Sequence, residues 1–336
     1  MADVTAIIPT WNRRALLERT LAALRVQTHP LTETVVVDNG SDDGSADAAG
    51  QAGARVIRMT RNAGFAKAVN RGIETARTEW VAILNNDVVL KPEWLERLLR
   101  AAEPAGAWFA TGKLLRAGNP AILDGTFDLI ARSGCAWRCG AGSPESVLDK
   151  LIVIDMVPLT AALVRRDLFD RLGPLDEQFE SYLEDVDFGL RCAAGGYRGV
   201  YVPDAVGFHE GSGTLGTWNR DTVRRLARNQ IWLVGKHFRA GGWWPVVAGQ
   251  LLWGALAIRH GAGSAWCQGK WQGLRRFREI RRRAAGPAPL EFIRRSEDKI
   301  WALQKRTGFD LYWRTYFLVA PRGRPRESPE GVTKNT

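Results

Sequence analysis

The chain has 336 residues, of which 45% are hydrophobic and 25% are charged. This composition is that of a folded globular protein with room for one large and one smaller domain, and it excludes a disordered chain, a collagen-like fibre and a polytopic membrane protein. The net charge of +11 is uneven: residues 1–213 hold 23 Lys and Arg against 28 Asp and Glu, whereas residues 214–336 hold 24 against 8, with nine of the 14 tryptophans. A basic, tryptophan-rich second part indicates an anionic partner surface, either lipid or nucleic acid.

The first hundred residues alternate between strand-like and helix-like segments. Short apolar, β-rich runs predict strands at residues 4–9, 34–37, 55–59 and 80–84, and apolar residues at helical spacing predict helices at 14–26, 42–52, 66–76 and 92–102. This alternation is typical of an α/β fold with a mostly parallel, Rossmann-like sheet flanked by helices. Ligand-binding residues are therefore expected directly after each strand, at the carboxyl edge of the sheet.

The later elements are predicted with less regular patterns. Residues 104–150 are rich in glycine and are predicted to be irregular binding loops. The core resumes at 151–157, and the remaining predictions are helices at 165–172, 184–194 and 217–238, a strand at 199–202 and a loop at 208–216. The chain is thus divided into an α/β domain (1–213), a basic, helical C-terminal extension (214–320) and a polar tail (321–336) predicted to be disordered.

Two segments of the extension suggest a membrane surface. Residues 240–258 carry no charge and are just long enough to cross a bilayer, but Pro245, Gln250 and four glycines count against a span. A spanning helix, an interfacial hairpin and a buried helix remain open for this segment. Residues 271–283 form a cationic helix with one apolar stripe, typical either of an in-plane membrane helix or of a helix that packs on the catalytic domain. The stripe consists of Trp271, Leu274, Phe277 and Ile280.

The cysteines and the N-terminus indicate an intracellular protein. None of the four cysteines has the spacing of a zinc site, so we interpret them as reduced thiols. The N-terminus leads at once into a strand, without a basic segment followed by an apolar one. We therefore expect a cytoplasmic protein rather than a secreted one.

Polar clusters follow the first two predicted strands. Residues 9–13 can offer backbone N–H groups and the Arg13 guanidinium to an anionic ligand, although Asn and Arg at such a place also form helix caps. Asp38 stands at the end of the second strand, where an acidic side chain is well placed to hold ribose hydroxyls. The alternative for this segment is an Asx turn followed by a helix N-cap.

Two further clusters carry carboxylates. Asp87 follows a strand that is predicted to be buried, and a carboxylate there is costly unless it has a partner. A divalent cation that bridges phosphate oxygens is a suitable partner. The alternative interpretation of Asp87 is a helix cap. Glu184, Asp185 and Asp187 crowd three negative charges into four residues. Such crowding raises a pKa for base chemistry or builds a cation site, unless the cluster is only an acidic helix N-terminus.

In this order and context, the clusters resemble those of family-2 glycosyltransferases with the GT-A fold. The likeness covers roughly residues 3–238. It rests on Ile-Ile-Pro-Thr-Trp-Asn at 7–12, Val-Asp-Asn-Gly-Ser-Asp-Asp-Gly-Ser at 37–45, Asn-Ala-Gly-Phe-Ala at 62–66, Asn-Asn-Asp at 85–87, and Leu-Asp-Glu-Gln-Phe with Glu-Asp-Val-Asp between 175 and 187. The branch most resembled is rhamnosyltransferase-like and galactofuranosyltransferase-like. Asn85 replaces the first acidic residue of the D-x-D metal motif of the family, which removes one anionic ligand.

The resemblance implies an enzyme that moves a sugar, with rhamnose suggested by the branch, from a dTDP- or UDP-sugar to a hydroxyl of a glycan or lipid-linked acceptor in cell-surface polysaccharide synthesis. It implies that Asp87 and His209 hold Mg²⁺ or Mn²⁺, that Asp185 is the general base and that Glu184 shapes or neutralises the site. The clusters offer no second nucleophile, which favours inversion at the anomeric carbon. The residues implied in binding the nucleotide-sugar are Pro9, Thr10, Asn12, Arg13, Asp38, Asn39, Asn62, Gly64, Phe65, Asn70 and Asn86.

The expected partner of the basic second part is a membrane surface. A lipid-linked acceptor accounts for a membrane surface at residues 240–283, so we expect the protein at the inner face of the cell membrane, with no nucleic-acid partner. A sugar nucleotidyltransferase is one alternative, but the segment after the first strand lacks the glycine-rich phosphate loop expected there. A nucleic-acid-binding protein is another, but it gives the 184–187 carboxylates no role.

Overall fold

The computed structural model describes residues 2–211, 218–238, 242–283 and 290–322, with only the backbone of Arg283. Residues 212–216 of the predicted loop and the predicted tail from residue 323 onward therefore lie outside the described residues.

Four parallel strands form one half of the central sheet, in the order β3-β2-β1-β4. They are β1 (Val4–Thr10), β2 (Glu33–Asp38), β3 (Arg55–Arg58) and β4 (Trp80–Leu84), and the helices between them are α1 (Arg14–Arg25), α2 (Ser45–Gln51) and α3 (Phe65–Thr75). Successive side chains of β1 enter different cores: Ile7 packs with α3, and Ile8 packs with α1. Helices therefore cover both faces of the sheet, as the apolar runs predict.

The other half of the sheet is mixed. Its strands are β5 (Val88–Leu90), β6 (Phe109–Arg116), β7 (Asn119–Gly125), β10 (Ile152–Ile154), β11 (Ala161–Arg165) and β12 (Gly199–His209), and helix α4 (Trp94–Ala102) lies between β5 and β6 in the sequence. Strands β8 (Asp128–Ile130) and β9 (Ala136–Arg138) form a separate hairpin. The complete order of the sheet is β10-β12-β6-β11-β4-β1-β2-β3. Strand β5 pairs with β12, and β7 pairs with β6. Strand β11 runs antiparallel between β4 and β6, whereas β6 and β12 are parallel.

The prediction that residues 104–150 form irregular loops is wrong. They contain β6 to β9, and β6 lies well inside the sheet. Polar residues interrupt the apolar run of β6 and conceal it: the Thr111 hydroxyl donates to Ala161 O (3.0 Å), and Lys113 Nζ donates to Glu145 O (2.9 Å). Between them, Gly112 is required because a Cβ there would lie 1.9 Å from Ala205 O.

The predicted boundary of the last strand is also wrong. Strand β12 continues through a register shift between Val202 and Val206 and ends at His209, so Phe208 and His209 belong to a strand rather than to a loop. A bulge of this kind breaks the apolar run in the sequence without ending the strand. Its consequence is that His209 is held by the sheet, with Cα pairing to both Val88 and Arg116.

The remaining helices pack against the α/β part. They are α5 (Asp167–Leu172), α6 (Glu184–Ala194), α7 (Arg220–His237), α8 (Trp244–Arg259), α9 (Gly263–Arg283), α10 (Leu290–Thr307) and α11 (Leu311–Val319), and short 3-10 helices lie at Glu145–Val147 and Glu177–Phe179. The helical predictions for α6 and α7 are confirmed. Trp313 and Tyr316 of α11 share a core with Phe127 and with Leu129 of β8, and α10 also packs against β8, so the basic extension packs against the β8–β9 hairpin.

The structure bears on both segments for which a membrane surface was predicted, residues 240–258 and 271–283. In the portion of the chain that is described, no helix combines the length and the hydropathy needed to cross a bilayer. Of the predicted apolar stripe on α9, Ile280 is buried and Phe277 lies beside Gly235 of α7, whereas Trp271 and Leu274 are exposed. The inner half of the stripe therefore packs on the rest of the protein, which was the alternative to an in-plane membrane helix.

Candidate active site

A cleft of about 920 Å³ opens at the carboxyl edge of the parallel strands. Most of the residues predicted to bind the nucleotide-sugar line it, together with Asp87. They are Pro9, Thr10, Arg13, Asn39, Asn62, Gly64, Phe65 and Asn86. The cleft also contains three cationic side chains that the sequence interpretation missed, namely Arg61, Lys67 and Arg225.

Side-chain amides lock the loops of this cleft together. Asn39 Nδ2 donates to Asn62 Oδ1 (3.0 Å) and Gly64 O (3.1 Å), and its Oδ1 accepts from the backbone N–H of Ala63 (2.8 Å). Gly64 has φ +92°, and a Cβ there would lie 2.6 Å from Glu180 O. Two distant parts of the chain, residues 62–65 and 180–181, can therefore meet only if this position is glycine.

Three of the predicted binding residues do not line the cleft. Asp38 is buried and accepts from the backbone N–H of Ser41 (3.2 Å), as in the turn that was its alternative interpretation. Asn12 Oδ1 accepts from the backbone N–H of Asp42 (3.0 Å). Asn70 is buried and exchanges two hydrogen bonds with the backbone of Leu175. These side chains therefore hold the loops around the cleft, and their predicted contact with a nucleotide stays a prediction.

Asp87 and His209 face each other at the floor of the cleft. His209 Nε2 lies 3.2 Å from Asp87 Oδ1, and His209 Nδ1 donates to Asp124 Oδ2 at 2.7 Å. Burial lowers the pKa of His209, but the hydrogen bond to Asp124 and the charges of Asp87 and Asp124 outweigh it and raise the pKa to about 9. A metal ion bound at Nε2 would displace the proton from that nitrogen. Asp124 was not predicted, because it stands on β7 inside the segment interpreted as a loop.

The arrangement fits a divalent cation. Among the described residues, Asp87 Oδ1 is buried without a hydrogen-bond partner, and a hard cation prefers such an oxygen. His209 Nε2 lies 3.2 Å from this oxygen and would be the second protein ligand. Within the described ranges, no group of three or more His, Cys, Asp or Glu side chains is arranged to hold a metal by itself. A cation held here would need further oxygen ligands from a bound molecule.

A second cavity of about 520 Å³ adjoins the first. Both cavities are lined by Phe65, Asn85, Asp87, Ser181 and Tyr182. The second cavity is also lined by His209 and by the predicted pair Glu184 and Asp185. The structure therefore brings Asp87, His209 and Asp185 to one cavity, although Asp87 and His209 are 122 positions apart in the sequence.

The carboxyl group of Asp185 is tuned by its surroundings. Burial and the neighbouring Asp128 carboxylate raise its pKa to about 6, against the opposing effect of Arg138. Arg138 Nη2 lies 3.6 Å from Asp185 Oδ2, and Arg138 Nε donates to Asp128 Oδ1 at 2.6 Å. Asp128 and Arg138 stand on β8 and β9, which the sequence interpretation did not recognise as strands.

Glu184 lies beside Asp185 in this cavity. Burial, and then the Asp185 carboxylate, raise the pKa of Glu184 well above its ordinary value. Its Oε2 has no hydrogen-bond partner among the described residues. The raised pKa favours the uncharged form of this carboxyl group, and the shaping or neutralising role of Glu184 stays a prediction.

The backbone before these acids adopts an uncommon conformation. Glu180, Tyr182 and Leu183 have φ of 63°, 74° and 70°, although none is glycine. Asn229 of α7 holds this segment, since its Nδ2 lies within hydrogen-bond distance of Phe179 O, Ser181 O and Tyr182 O. Left-handed residues of this kind cluster at functional sites and persist only when the surroundings fix them.

Asp187 has a different role from its two acidic neighbours. It is buried between Arg191 (3.2 Å), Lys236 (2.7 Å) and His237 (2.8 Å), and it ties α6 to α7. Burial raises its pKa, but the hydrogen bond from His237 and the charges of Arg191 and Lys236 outweigh it and hold the pKa far below its ordinary value. The acidic cluster thus divides into two groups that face the cavity and one that stabilises the fold.

Asp187→Asn is expected to lower the free energy of unfolding by about 3–5 kcal/mol at pH 7, because it leaves buried cations without their counter-charge. Chemical denaturation monitored by circular dichroism measures this change. Asp185→Asn is the matched control and should leave stability unchanged or increase it, since burial already disfavours the charge there. Equal losses of stability in both variants would contradict the division of roles.

Comparison with known proteins identifies the class of this protein. Residues 5–173 match the family model described as Glycosyl transferase family 2, and residues 152–278 match one described as Glycosyl transferase family group 2. The chain belongs to glycosyl transferase family 2. The prediction of a glycosyltransferase is confirmed, in preference to the nucleotidyltransferase and nucleic-acid-binding alternatives.

Individual glycosyltransferases are similar to this chain over most of its length. The chain is 30% identical over 289 residues to the N-acetylglucosaminyl-diphospho-decaprenol L-rhamnosyltransferase of Mycobacterium tuberculosis, with 77% of this chain and 92% of the relative covered. It is 25% identical over 254 residues to glycosyltransferase AglE of Haloferax volcanii, covering 69% and 80%. Both relatives are glycosyltransferases. The alignment with the rhamnosyltransferase extends over most of the length of this chain.

Solved structures share the fold. GalNAc-T7 with UDP, GalNAc and Mn²⁺ superposes with a TM-score of 0.62 at 14% identity, covering 92% of this chain and 58% of that one. The mannosyltransferase PcManGT of Pyrobaculum calidifontis, in complex with GDP-Man and Mn²⁺, superposes with a TM-score of 0.51 at 18% identity, covering 95% and 88%. The predicted α/β fold of the GT-A type, with a central mostly parallel sheet, is confirmed.

Proposed function

We propose that this protein transfers L-rhamnose, with inversion, from a nucleoside diphosphate donor to a hydroxyl of a sugar carried on a polyprenyl diphosphate. The 30% identity to a rhamnosyltransferase, over 92% of that relative, supports the donor sugar and the lipid-linked acceptor. The observation that carries the proposal is that Asp87, His209 and Asp185 line one cavity, which adjoins the larger cleft.

The larger cleft is suited to the donor. Four cationic side chains line it. Arg225 is paired with Glu180 and Asp221, Lys67 lies 3.8 Å from Glu177, and Arg13 lies 3.7 Å from Asp87. Arg61 is the lining cation without an ion pair among the described residues, and the half-exposed Trp11 offers an aromatic face. Asp87 and His209 would hold Mg²⁺ or Mn²⁺ between the protein and the diphosphate. When bound, such an ion neutralises the negative charge that develops on the diphosphate leaving group. Asp124 fixes the orientation of His209 through its hydrogen bond to Nδ1.

The smaller cavity is suited to the acceptor. Asp185, when ionised, accepts the proton of the acceptor hydroxyl while that oxygen attacks the anomeric carbon. The bond from the anomeric carbon to the diphosphate breaks, and its electron pair leaves with the diphosphate. Asp128 is hydrogen-bonded to Arg138, and burial raises the pKa of Glu184, which disfavours its charged form. Asp87 would be occupied by the ion, which leaves Asp185 as the available base among the described acids of this cavity. A single available base supports direct displacement with inversion.

The pH dependence of kcat/KM should follow the ionisation of the Asp185 carboxyl group. Because a general base must be ionised, and the pKa of Asp185 is about 6, kcat/KM should fall about tenfold per pH unit below pH 6 and level off above it. Arg138→Gln removes the cation that opposes protonation, so it should move this acidic limb to higher pH, whereas Arg138→Lys should move it less. Initial rates from pH 4.5 to 9 test this, and an unchanged limb in Arg138→Gln would contradict the assignment.

A donor screen tests the proposed function. The protein is mixed with dTDP-, UDP- and GDP-sugars, with Mn²⁺ or with EDTA, and donor binding and transfer to a synthetic prenyl-diphosphate-linked N-acetylglucosamine are measured. We expect Mn²⁺-dependent binding of a pyrimidine nucleotide-sugar and transfer of rhamnose. Transfer of another sugar would overturn the proposed donor, and the absence of metal-dependent binding by any nucleotide-sugar would overturn the proposed site.

A further inference from the structure

Helix α8 is apolar on both sides. Val246, Gly249 and Ala257 face the protein and are buried or tightly packed. The opposite side exposes an apolar row at intervals of three to seven residues, formed by Trp244, Val247, Leu251 and Ile258. Arg259, the last residue, is its one charged position. A helix that is hydrophobic all round is normally enclosed by protein or lipid, yet Leu251 and Ile258 are 58% and 65% exposed.

Helix α11 extends this apolar row. Trp244 Nε1 donates to Val319 O (2.7 Å), and the Tyr312 hydroxyl donates to Gly249 O (3.3 Å), so the two helices lie side by side. Leu318 is 75% exposed, the largest value among the exposed large hydrophobic side chains described. We call the exposed side chains of these two helices the α8–α11 surface; it comprises Trp244, Val247, Leu251, Ile258, Leu318 and Val319.

The charges on the two helices of this surface are positive, while the exposed Asp310, directly before α11, caps that helix by accepting from the Trp313 N–H. Neither α8 nor α11 contains Asp or Glu, and their two charged residues are Arg259 and Arg314, both exposed. Helix α9, which packs against α8, exposes Arg275 and Arg278 beside Trp271 and Leu274. Tryptophans at the edge of an apolar row with a cationic rim are the arrangement that favours the interface of an anionic bilayer.

We propose that the α8–α11 surface docks on the surface of a bilayer containing anionic lipids, with its apolar side chains entering the headgroup region and the arginines of α8, α9 and α11 contacting lipid phosphates. This proposal rests on the proposed function in one respect: a polyprenyl-linked acceptor resides in a bilayer, and docking holds the enzyme beside it. A second copy of this chain is the weaker candidate for covering the surface, because a two-fold contact brings two arginine-rich rims together.

Vesicle flotation of the full-length protein tests the docking itself. We expect binding to vesicles of phosphatidylcholine with 30% phosphatidylglycerol, and weaker binding to phosphatidylcholine alone. The double variant Leu251→Glu, Ile258→Glu should lose about tenfold or more of the binding to anionic vesicles. The matched control is Val26→Glu, because Val26 is also an exposed apolar residue (59%) but follows α1; it should bind as the unaltered protein does.

The outcomes separate this proposal from the proposed function. The double variant should transfer sugar to a short-chain, water-soluble acceptor at the rate of the unaltered protein, and more slowly to a long-chain acceptor in vesicles. Failure of the unaltered protein to float with anionic vesicles would overturn the docking, whatever sugar it transfers. Equal flotation of the double variant would overturn the assignment to this surface. A dimer in solution that the double variant separates would show that a second copy covers it.

Discussion

Asp185→Asn should reduce sugar transfer by a factor of about 10² to 10⁴ and leave binding of the nucleoside diphosphate nearly unchanged. Asparagine keeps the shape of the side chain but cannot accept the proton of the acceptor hydroxyl. Asp185 lines the smaller cavity only, whereas the proposed diphosphate site lies where the two cavities meet at Asp87. Single-turnover transfer and calorimetric titration with the diphosphate measure the two quantities separately.

Glu184→Gln is the matched control for this experiment. Because burial raises the pKa of Glu184 and favours its uncharged form, glutamine is a close substitute for it, and its loss of activity should be much smaller than that of Asp185→Asn. Transfer by Asp185→Asn at a rate near that of the unaltered protein would exclude Asp185 as the base. A larger loss in Glu184→Gln than in Asp185→Asn would move that role to Glu184.

Asp87→Asn should weaken Mn²⁺-dependent binding of the nucleoside diphosphate by about 100-fold or more, because it removes the one carboxylate proposed to hold the ion. Titration of the diphosphate with and without Mn²⁺ measures the loss. Asp124→Asn should give a smaller loss of about 10- to 100-fold, since Asp124 only orients His209. Binding by Asp87→Asn that still responds to Mn²⁺ as before would place the ion elsewhere.

The sequence was sufficient to predict the parallel half of the sheet and its helices. There, apolar runs alternate with helical patterns, and the polar residues that line the cleft directly follow the strands, as at Asn39 and Asn86. Asp38 and Asn12 also lie at strand ends but do not line the cleft, because a residue there can turn inward to hold a loop as easily as it can face a ligand. Local pattern predicts the position of a residue along the edge but not the direction of its side chain.

The second half of the site could not be predicted from pattern. Asp124, Asp128 and Arg138 lie on short strands with polar and glycine-rich sequences, and they reach His209 and Asp185 only through antiparallel pairing across the chain. No spacing in the sequence indicates that these three residues contact His209 and Asp185. The separation of Asp187 from its acidic neighbours likewise depends on α7, which supplies Lys236 and His237 from about fifty residues away.

A crystal structure of the protein with Mn²⁺ and a pyrimidine nucleoside diphosphate tests the central claim most directly. The anomalous signal of manganese should appear within ligand distance of both Asp87 and His209, with the diphosphate on the ion and the Asp185 carboxylate opening onto the space in front of it. A manganese peak at another place, or a diphosphate bound without contact to Asp87, would contradict the account.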